Sequence, residues 1–408
     1  MTKAMIISVG GTPEPIIKSI GKYRPDFISF YASQDTCDKV ALLKSESVKN
    51  GIKAKSEITL VDNVNDLLHC HEKAEEAVNR VIKKGSSKEN VVVDYTGGTK
   101  NMSVALALAA ITHGFSFSYV GGKERTKDGV GIVVDGREEI YESVNPWDFL
   151  AVEEKKKIAV LFNQYQFKAA KELADSIRGK TTKYKSIFNK TGFLIDGYYK
   201  WDMFRHREAV ECFKRAKIED LKEYGDKTVK SFAKATEKCM DFLEKIATLS
   251  KKPDNLFVLD IFSNAERRFE EGKVDDAILR LYRLVEMMAQ ERLAKKHNIN
   301  TSDVKQDEIP SGLKADFIAN YKNHRNGKIE ISQTAAFKLL KALGDELGVM
   351  FKSNEAEFIK IQSSRNYSYL AHGFDHSKEK TYLNLRDFVL NLNIIDPADA
   401  PVFPKIEL

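Results

Sequence analysis

The sequence predicts an N-terminal α/β domain with a doubly wound, mostly parallel sheet, followed by an all-helical remainder. Short apolar runs alternate with helical segments of about 10 to 15 residues through the first part of the chain, which is typical of a Rossmann-like sheet. Strand patterns disappear after Asn145-Pro146, and the polar stretch at 251–254 interrupts the helices that follow. Since 408 residues can form several hydrophobic cores, we predict domains at 1–145, 146–250 and 251–408.

The strands of the N-terminal domain are predicted from apolar runs that end in turn-forming residues. They lie at 4–10, 26–33, 55–61, 91–94, 115–122 and 129–136. Helical patterns fill the intervals between the first five strands, starting at Pro13, near 37–50, near 66–84, and around Lys100. Only a polar segment separates the last two strands, which predicts a hairpin at one edge of the sheet.

The composition indicates a globular protein with no membrane span. Apolar residues make up 42% of the chain and charged residues 30%, and the longest apolar run is too short to cross a bilayer. The four cysteines are scattered, which favours a reducing cytoplasm and argues against a disulfide framework or a cysteine-bound zinc. The formal net charge of +6 is compatible with an anionic partner.

Four of the predicted strands end in loops that could hold phosphate groups, at 10–12, 33–36, 96–100 and 121–123. Glycine lets the backbone approach an anion, and the N-terminus of a following helix offers unpaired N–H groups. The spacing matches neither the Walker motif nor the dinucleotide fingerprint. Several such loops in one domain suggest a wide site for a nucleotide with several phosphates. The alternative is that these glycines serve only to form turns.

A second group of polar residues lies near the C-terminus, in a helix that we predict from Asn354, with Glu357 completing a capping box, to Gly373. Arg365 and His372 are two helical turns apart and therefore lie on one face. An arginine can hold a phosphate and a histidine can exchange a proton, so this pair could cleave RNA without a metal by using the 2′-hydroxyl as the nucleophile. The alternative is a surface arginine and an unrelated histidine at a helix end.

Two arrangements could suggest a metal ligand, and neither favours one. Asp94 directly precedes the loop at 96–100 and could ligate a metal or contact a ribose, but we expect it to cap the turn locally. His372 and His376 have helical ligand spacing, yet Gly373 interrupts the helix between them and no zinc-protease motif accompanies them. We therefore expect no bound metal and no cofactor.

Three segments together resemble the CARF–HEPN ribonucleases that accompany type III CRISPR systems. They are GGTPEPI at 10–16, DYTGGTKNM at 94–102 and RNYSYLAHG at 365–373. The resemblance covers nearly the whole chain, with residues 1–145 similar to the CARF sensor and 251–408 similar to the HEPN effector. It implies a homodimer whose CARF domains form one pocket for cyclic oligoadenylate, with tetra-adenylate favoured over hexa-adenylate.

The resemblance also implies the roles of individual residues. The two HEPN domains would bring Arg365 and His372 together in a composite site for single-stranded RNA, where Asn366 orients the arginine or a phosphate. The cyclic oligoadenylate would contact Gly11, Thr12, Ser33, Gly97, Gly98, Thr99, Lys100, Asn101 and Met102. The implied function is a cytoplasmic, metal-independent endoribonuclease of antiviral defence that the cyclic oligoadenylate activates allosterically.

Two other functions stay open at this point. The chain could bind RNA or a partner in response to its ligand without cleaving anything. It could instead act as a ring nuclease that degrades cyclic oligoadenylate, a reaction in which Thr99 or Lys100 would take part.

Overall fold

The computed structural model describes residues 2–122, 138–223, 225, 227–250, 252–366, 374 and 376–407. The chain divides into two compact units. The first unit comprises Met1–Lys157 and Glu172–Asn189, and the second comprises Ile158–Lys171 and Lys190–Leu408. The predicted domain boundaries near residues 145 and 250 remain predictions.

The first unit is built on a six-stranded sheet with the strand order β3-β2-β1-β4-β5-β6. All neighbouring strands run parallel except β5 and β6, which are antiparallel. This architecture confirms the predicted doubly wound α/β fold. Its elements are β1 (Ala4–Val9), α1 (Glu14–Tyr23), β2 (Phe27–Ser33), α2 (Lys39–Lys49), β3 (Lys55–Val61), α3 (Leu67–Lys83), β4 (Val91–Asp94), α4 (Lys100–Ile111), β5 (Ser116–Gly122) and β6 (Glu138–Val144).

The edge hairpin is present, but the described strand that pairs with β5 comes later in the sequence than we predicted. β6 spans Glu138–Val144, and Tyr141 lies opposite Tyr119 of β5. The predicted strand at 129–136 lies outside the described residues. The segment EEIYESV, which is rich in glutamate, therefore forms this edge of the sheet and pairs with β5 alone among the described strands.

The central strands are buried on both faces because helices cover each side of the sheet. Every residue of β1 and β2 is buried. Ile7 and Phe30 pack with Ile16 of α1 on one face, whereas Ile6 and Tyr31 belong to the core formed with α3 and α4 on the other. Continuous apolar strands of this kind are typical of a parallel sheet, and their burial explains why the sequence pattern was strong.

The second unit is helical. Its elements are the C-terminal parts of α5 (Trp147–Asn163) and α7 (Lys185–Asp202), the N-terminal part of α6 (Phe167–Lys180), and α8 (His206–Ala216), α9 (Ile218–Lys222), α10 (Lys227–Thr248), α11 (Asn255–Glu270), α12 (Val274–Lys296), α13 (Ser311–Tyr321), α14 (Gln333–Ala342), α15 (Glu346–Asn366) and α16 (Glu379–Asn391). One hydrophobic core joins α11, α12, α14, α15 and α16, and the rings of Phe337 and Phe351 stack at 3.7 Å within it. No helix among the described residues is long and apolar enough to cross a membrane.

The capping box that we predicted at Asn354 is wrong. Helix α15 starts at Glu346, so Asn354 lies in its interior, where its Nδ2 donates to the carbonyl of Met350 at 2.9 Å. An asparagine can cap a helix or bond back to the preceding turn, and the sequence alone does not distinguish these roles. The cap is formed instead by Asp345, whose Oδ1 accepts a hydrogen bond from the N–H of Leu347 at 3.0 Å.

Asp345 holds the start of α15 through a network of charged groups. Its carboxylate is 1% exposed and accepts hydrogen bonds from Arg292 Nε at 3.0 Å and from His297 Nε2 at 3.0 Å. Lys296 Nζ lies 3.1 Å from Oδ2. Burial alone would raise the pKa of this carboxyl, but hydrogen bonds from His297, Arg292, Leu347 N–H and Lys296 outweigh burial and hold the pKa well below its usual range.

We predict that Asp345→Ala lowers the free energy of unfolding by roughly 2–3 kcal/mol at pH 7, because it removes the cap and leaves three basic side chains without this partner. A carboxyl whose pKa is depressed by folding stabilises the protein above its unfolded pKa of about 3.9 and loses this contribution as the pH falls further. Urea unfolding at several pH values measures both effects. Asp345→Asn keeps the cap, so it should be less destabilising at pH 7 and should flatten the pH dependence below about pH 4.

Candidate functional site

Two loops meet in the first unit at the point where the strand order reverses. The order β3-β2-β1-β4-β5-β6 places β1 next to β4, and the chain moves outward from this pair in both directions. The loops after β1, at 10–13, and after β4, at 95–99, therefore lie side by side at the carboxyl edge of the sheet. Ligands of doubly wound folds bind at this position.

The glycines in these loops are required because the two backbones touch. A Cβ on Gly97 would overlap the backbone nitrogen of Gly10 and lie 2.5 Å from the carbonyl oxygen of Ser8. A Cβ on Gly10 would lie 3.0 Å from Gly97 Cα. Gly98 has φ +82°, which an L side chain rarely adopts, and a Cβ there would collide with Ser8 Oγ. The paired Gly-Gly sequences thus lock two loops together, a purpose that goes beyond forming a turn.

The loop after β4 has hydroxyl groups that bond within the protein and backbone N–H groups that do not. Thr99 caps α4 by accepting from the N–H of Met102 at 3.3 Å. Ser103 Oγ donates to the carbonyl of Gly97 at 3.2 Å, and Thr96 Oγ1 accepts from Val120 N–H at 2.8 Å, so these groups are satisfied internally. Within the described part of the chain, the N–H groups of residues 97–101 have no hydrogen-bond partner. Unpaired donors at a helix N-terminus attract an anion such as a phosphate.

The structure brings most of the predicted ligand residues to this edge, but it gives three of them internal contacts. The side chain of Met102 is fully buried beneath Gly98. Asn101 Nδ2 donates to the carbonyls of Val64 at 3.2 Å and Asn65 at 3.1 Å, which ties α4 to the loop after β3. Ser33 is 7% exposed, and its Oγ lies 3.0 Å from Thr36 Oγ1.

The remaining predicted residues are more accessible. The exposed ones are Gly11, Thr12, Gly98, Thr99 and Lys100, while Gly97 is half-buried. Thr36 Oγ1 donates to the carbonyl of Val9 at 3.2 Å, so the ends of β1 and β2 are joined as well. We call the surface formed by residues 10–12 and 97–100 the glycine cradle. It presents backbone N–H groups, one threonine hydroxyl from each loop and one lysine.

Two further polar residues are buried at this edge, and sequence reasoning missed one of them, Ser8. Ser8 Oγ is fully buried beside Gly98 and has no hydrogen-bond partner among the described residues. Its only sequence signal is a polar residue inside an apolar strand that leads into Gly-Gly. Asp94 is also fully buried; it accepts from Thr96 N–H at 3.0 Å and from Ser19 Oγ, which confirms the predicted local cap. Burial raises the pKa of the Asp94 carboxyl.

The second candidate site lies at the end of α15. The backbone of Arg365 and Asn366 forms the last turn of this helix, whereas their side chains and all of His372 lie outside the described residues. Their catalytic assignment remains a prediction. On the same helix, Phe358 and Ile361, which precede Arg365, are 2% and 5% exposed and belong to the hydrophobic core. No group of three or more His, Cys, Asp or Glu within the described ranges could hold a metal ion.

Comparisons with known families identify both parts of the helical region. A family model of the Csm6 HEPN domain matches residues 246–396, and a model of the Csm6 6H domain matches residues 150–243. These two matches together cover more than half of the chain. A doubly wound α/β domain followed by helical domains of this kind is the architecture of a class of CRISPR-associated proteins. The chain belongs to the CARF–HEPN family associated with type III CRISPR systems.

One solved structure has this fold. Enterococcus italicus Csm6 bound to cyclic hexa-2′-fluoro-hexa-dAMP has a TM-score of 0.61 at 15% sequence identity, over 96% of this chain and 93% of that chain. Can2 from Sulfobacillus thermosulfidooxidans in complex with cyclic tetra-adenylate covers 62% of this chain and 69% of that chain, with a TM-score of 0.26 at 9% identity, which is too low to support a common fold. None of the curated proteins compared with this chain matches it.

Proposed function

We propose that this protein is a metal-independent, single-strand endoribonuclease of type III CRISPR antiviral defence that is activated by cyclic oligoadenylate. One observation carries the proposal: a glycine cradle whose N–H groups at 97–100 have no partner among the described residues occurs in a chain whose C-terminal region matches the Csm6 HEPN domain. The cradle suits a phosphate, and the HEPN region supplies the candidate Arg365–His372 pair. Enterococcus italicus Csm6, which has this fold, is bound to a cyclic hexanucleotide analogue.

The proposed activator site uses the repeating chemistry of the ring. A cyclic oligoadenylate carries one phosphate per nucleotide, and the cradle offers a row of N–H donors together with Lys100. Two copies of the chain, related by a two-fold axis, would offer two such cradles to a symmetric ring. Both a tetra-adenylate and a hexa-adenylate have this symmetry, and we retain tetra-adenylate as the preferred ring.

The proposed homodimer is supported by an apolar face beside the cradle. Helix α4 starts at Lys100, and Val104 and Leu108 follow at successive turns on the same side. The helix is apolar on all sides, so some apolar residues must lie on its outer face. Val104 and Leu108 are 49% and 51% exposed there. An exposed apolar face that continues from a ligand site fits a second copy of the same chain. The ligand would then sit where both copies contribute.

We predict that Val104→Ser with Leu108→Ser weakens the dimer by about 2–3 kcal/mol, or roughly 30- to 150-fold, because two half-exposed aliphatic groups would lose their burial. Light scattering across a concentration series measures the dimer, and calorimetry with cyclic tetra-adenylate measures binding, which should weaken in parallel. The matched control is Leu42→Ser with Val48→Ser on α2, whose side chains are 45% and 61% exposed. If the Val104→Ser, Leu108→Ser variant stays dimeric and binds the ring normally, this interface is contradicted.

The proposed reaction needs only groups supplied by the protein and the RNA. His372 takes the proton of a ribose 2′-hydroxyl, and the 2′-oxygen attacks the adjacent phosphorus. The bond to the 5′-oxygen of the next nucleotide breaks, and that oxygen takes a proton from the imidazolium formed at His372. Arg365 stabilises the charge that builds on the phosphate, with Asn366 holding the arginine or the phosphate in place. The products are a 2′,3′-cyclic phosphate and a 5′-hydroxyl.

A denaturing gel separates this function from its alternatives. Labelled single-stranded RNA is incubated with the full chain and with cyclic tetra-adenylate, cyclic hexa-adenylate or neither. The proposal predicts shortened RNA only with one of the rings. If the RNA stays intact, a native gel of the same mixtures shows whether it is bound in a ring-dependent way, which would favour a non-enzymatic binding module. Chromatography of the ring shows whether it is lost without RNA cleavage, which would favour a ring nuclease.

A further inference from the structure

A basic groove runs between α15 and α16 in the second unit. It has a volume of about 480 Å³ and an apolar floor that includes Ile361. Its other lining residues are Glu357, Lys360, Lys378, Lys380, Thr381 and Asn384. The lining therefore carries three positive charges and one negative charge, and it contains amide and hydroxyl groups that can bond to sugar and phosphate oxygens.

The lysines of this groove are unusual on their own helices because they lack acidic partners. Lys352 of α15 pairs with Glu355, and Arg386 of α16 pairs with Glu266 at 2.9 Å. By contrast, Lys360, Lys378 and Lys380 are exposed and form no ion pair with any described residue. Three unpaired ammonium groups around one groove create a positive potential that a polyanion would neutralise.

The position of the groove in the sequence connects it to the proposed catalytic segment. Ile361 on its floor is one helical turn before Arg365 on α15. Lys378 and Lys380 begin α16, a few residues after His372. The groove walls are therefore the helical segments on either side of residues 365–372. An RNA strand whose scissile phosphate reaches Arg365 would therefore pass next to this groove.

We propose that this groove binds the sugar-phosphate backbone of the RNA strand next to the cleaved bond, with Lys360, Lys378 and Lys380 each neutralising one phosphate. This inference rests on the proposed ribonuclease function and adds positioning residues to it. The lysines contact phosphates that do not react, so they hold the substrate and leave the chemical step to Arg365 and His372. Lysines of this kind bind without regard to base sequence.

The test compares two triple variants of the full chain that remove the same charge. The first variant, Lys360→Gln with Lys378→Gln and Lys380→Gln, removes all three positive charges from the lining of the groove. Lys314→Gln with Lys322→Gln and Lys341→Gln removes three exposed lysines elsewhere in the second unit that likewise form no ion pair with a described residue. Each protein is titrated, with either ring present, against a fluorescein-labelled oligouridylate that carries 2′-O-methyl groups and cannot be cleaved.

The groove variant should bind this oligonucleotide roughly 100-fold more weakly at 0.1 M salt, because three single-strand phosphate contacts contribute a salt exponent of about 2. A plot of log affinity against log salt should lose about 2 units of slope. With unmodified RNA, KM should rise while kcat changes little. The control variant should match the wild type in all three measurements.

Other outcomes overturn the inference in distinguishable ways. If the wild type cleaves RNA and the groove variant binds and cleaves equally well, the groove assignment fails and the ribonuclease proposal stands. If the wild type neither binds nor cleaves RNA with either ring, both proposals fail. If the groove variant loses its dimer in light scattering but binds RNA normally per dimer, the groove is instead a contact between copies of the chain.

Discussion

Arg365→Ala and His372→Ala are each expected to reduce ring-activated RNA cleavage by roughly 10²- to 10⁴-fold while leaving the affinity for cyclic oligoadenylate unchanged. The loss follows from the chemistry, because the 2′-hydroxyl keeps its proton without His372 and the phosphate charge is unopposed without Arg365. Ligand binding is unaffected because the cradle lies in the first unit and the pair lies in the second. Cleavage of a fluorescent RNA reporter and calorimetry with each ring measure the two properties.

The chain offers a matched control for both substitutions. His324 and Arg325 are adjacent, exposed residues of the second unit, outside every described helix. Replacing them with alanine removes the same two side-chain types without touching the candidate site, so His324→Ala and Arg325→Ala should keep wild-type cleavage. Full cleavage by Arg365→Ala or His372→Ala would refute the catalytic assignment, whatever ligand the cradle binds.

Gly97→Ala is expected to destabilise the first unit by about 2–3 kcal/mol and to weaken ring binding at least tenfold. The added methyl group would overlap Gly10 N and press on Ser8 O, both of which are backbone atoms that cannot move aside as a side chain can. The two loops would have to separate, and the N–H groups that follow Gly97 would lose their arrangement. Urea unfolding and calorimetry with cyclic tetra- and hexa-adenylate measure these effects.

Gly21→Ala is the control for this backbone effect. Gly21 lies in α1, has no heavy atom within 4 Å of a Cβ built on it and has no strained φ. An alanine there should be neutral or stabilising by up to about 1 kcal/mol, because alanine favours a helix over glycine. Unchanged stability and ring affinity in Gly97→Ala would show that the contact between the two loops does not build the cradle.

The parallel strands were the most predictable part of the fold, because burial on both faces leaves continuous apolar runs such as those of β1 and β2. The edge hairpin was predicted, but the strand that pairs with β5, β6, was not, since EEIYESV has no continuous apolar run and pairs with one neighbour; the strand predicted at 129–136 lies outside the described residues. The start of α15 was missed because the local sequence does not mark Asp345 as a cap. The carboxylate of Asp345 is held by Arg292 and His297, which are distant in sequence.

The glycine cradle could be located from the sequence, but its construction could not. A Gly-Gly pair after a strand indicates a loop near a ligand, whereas the contact between Gly10 and Gly97 joins residues far apart in the chain. For the same reason Met102 and Asn101 were grouped with the ligand residues, although the fold uses the first to fill the core and the second to hold a neighbouring loop. The position of a motif predicts which loop lies near a ligand, whereas packing decides which side chains of that loop remain accessible to the ligand.

The most direct test of the central claim is the rate of cleavage of one single-stranded RNA by the full chain in EDTA, measured with and without cyclic tetra- or hexa-adenylate. We predict at least a hundredfold increase with one of the rings, with products that end in 2′,3′-cyclic phosphate and no loss of rate from the chelator. Equal rates with and without both rings, or cleavage that the chelator abolishes, would contradict a ring-activated nuclease that depends on Arg365 and His372 alone.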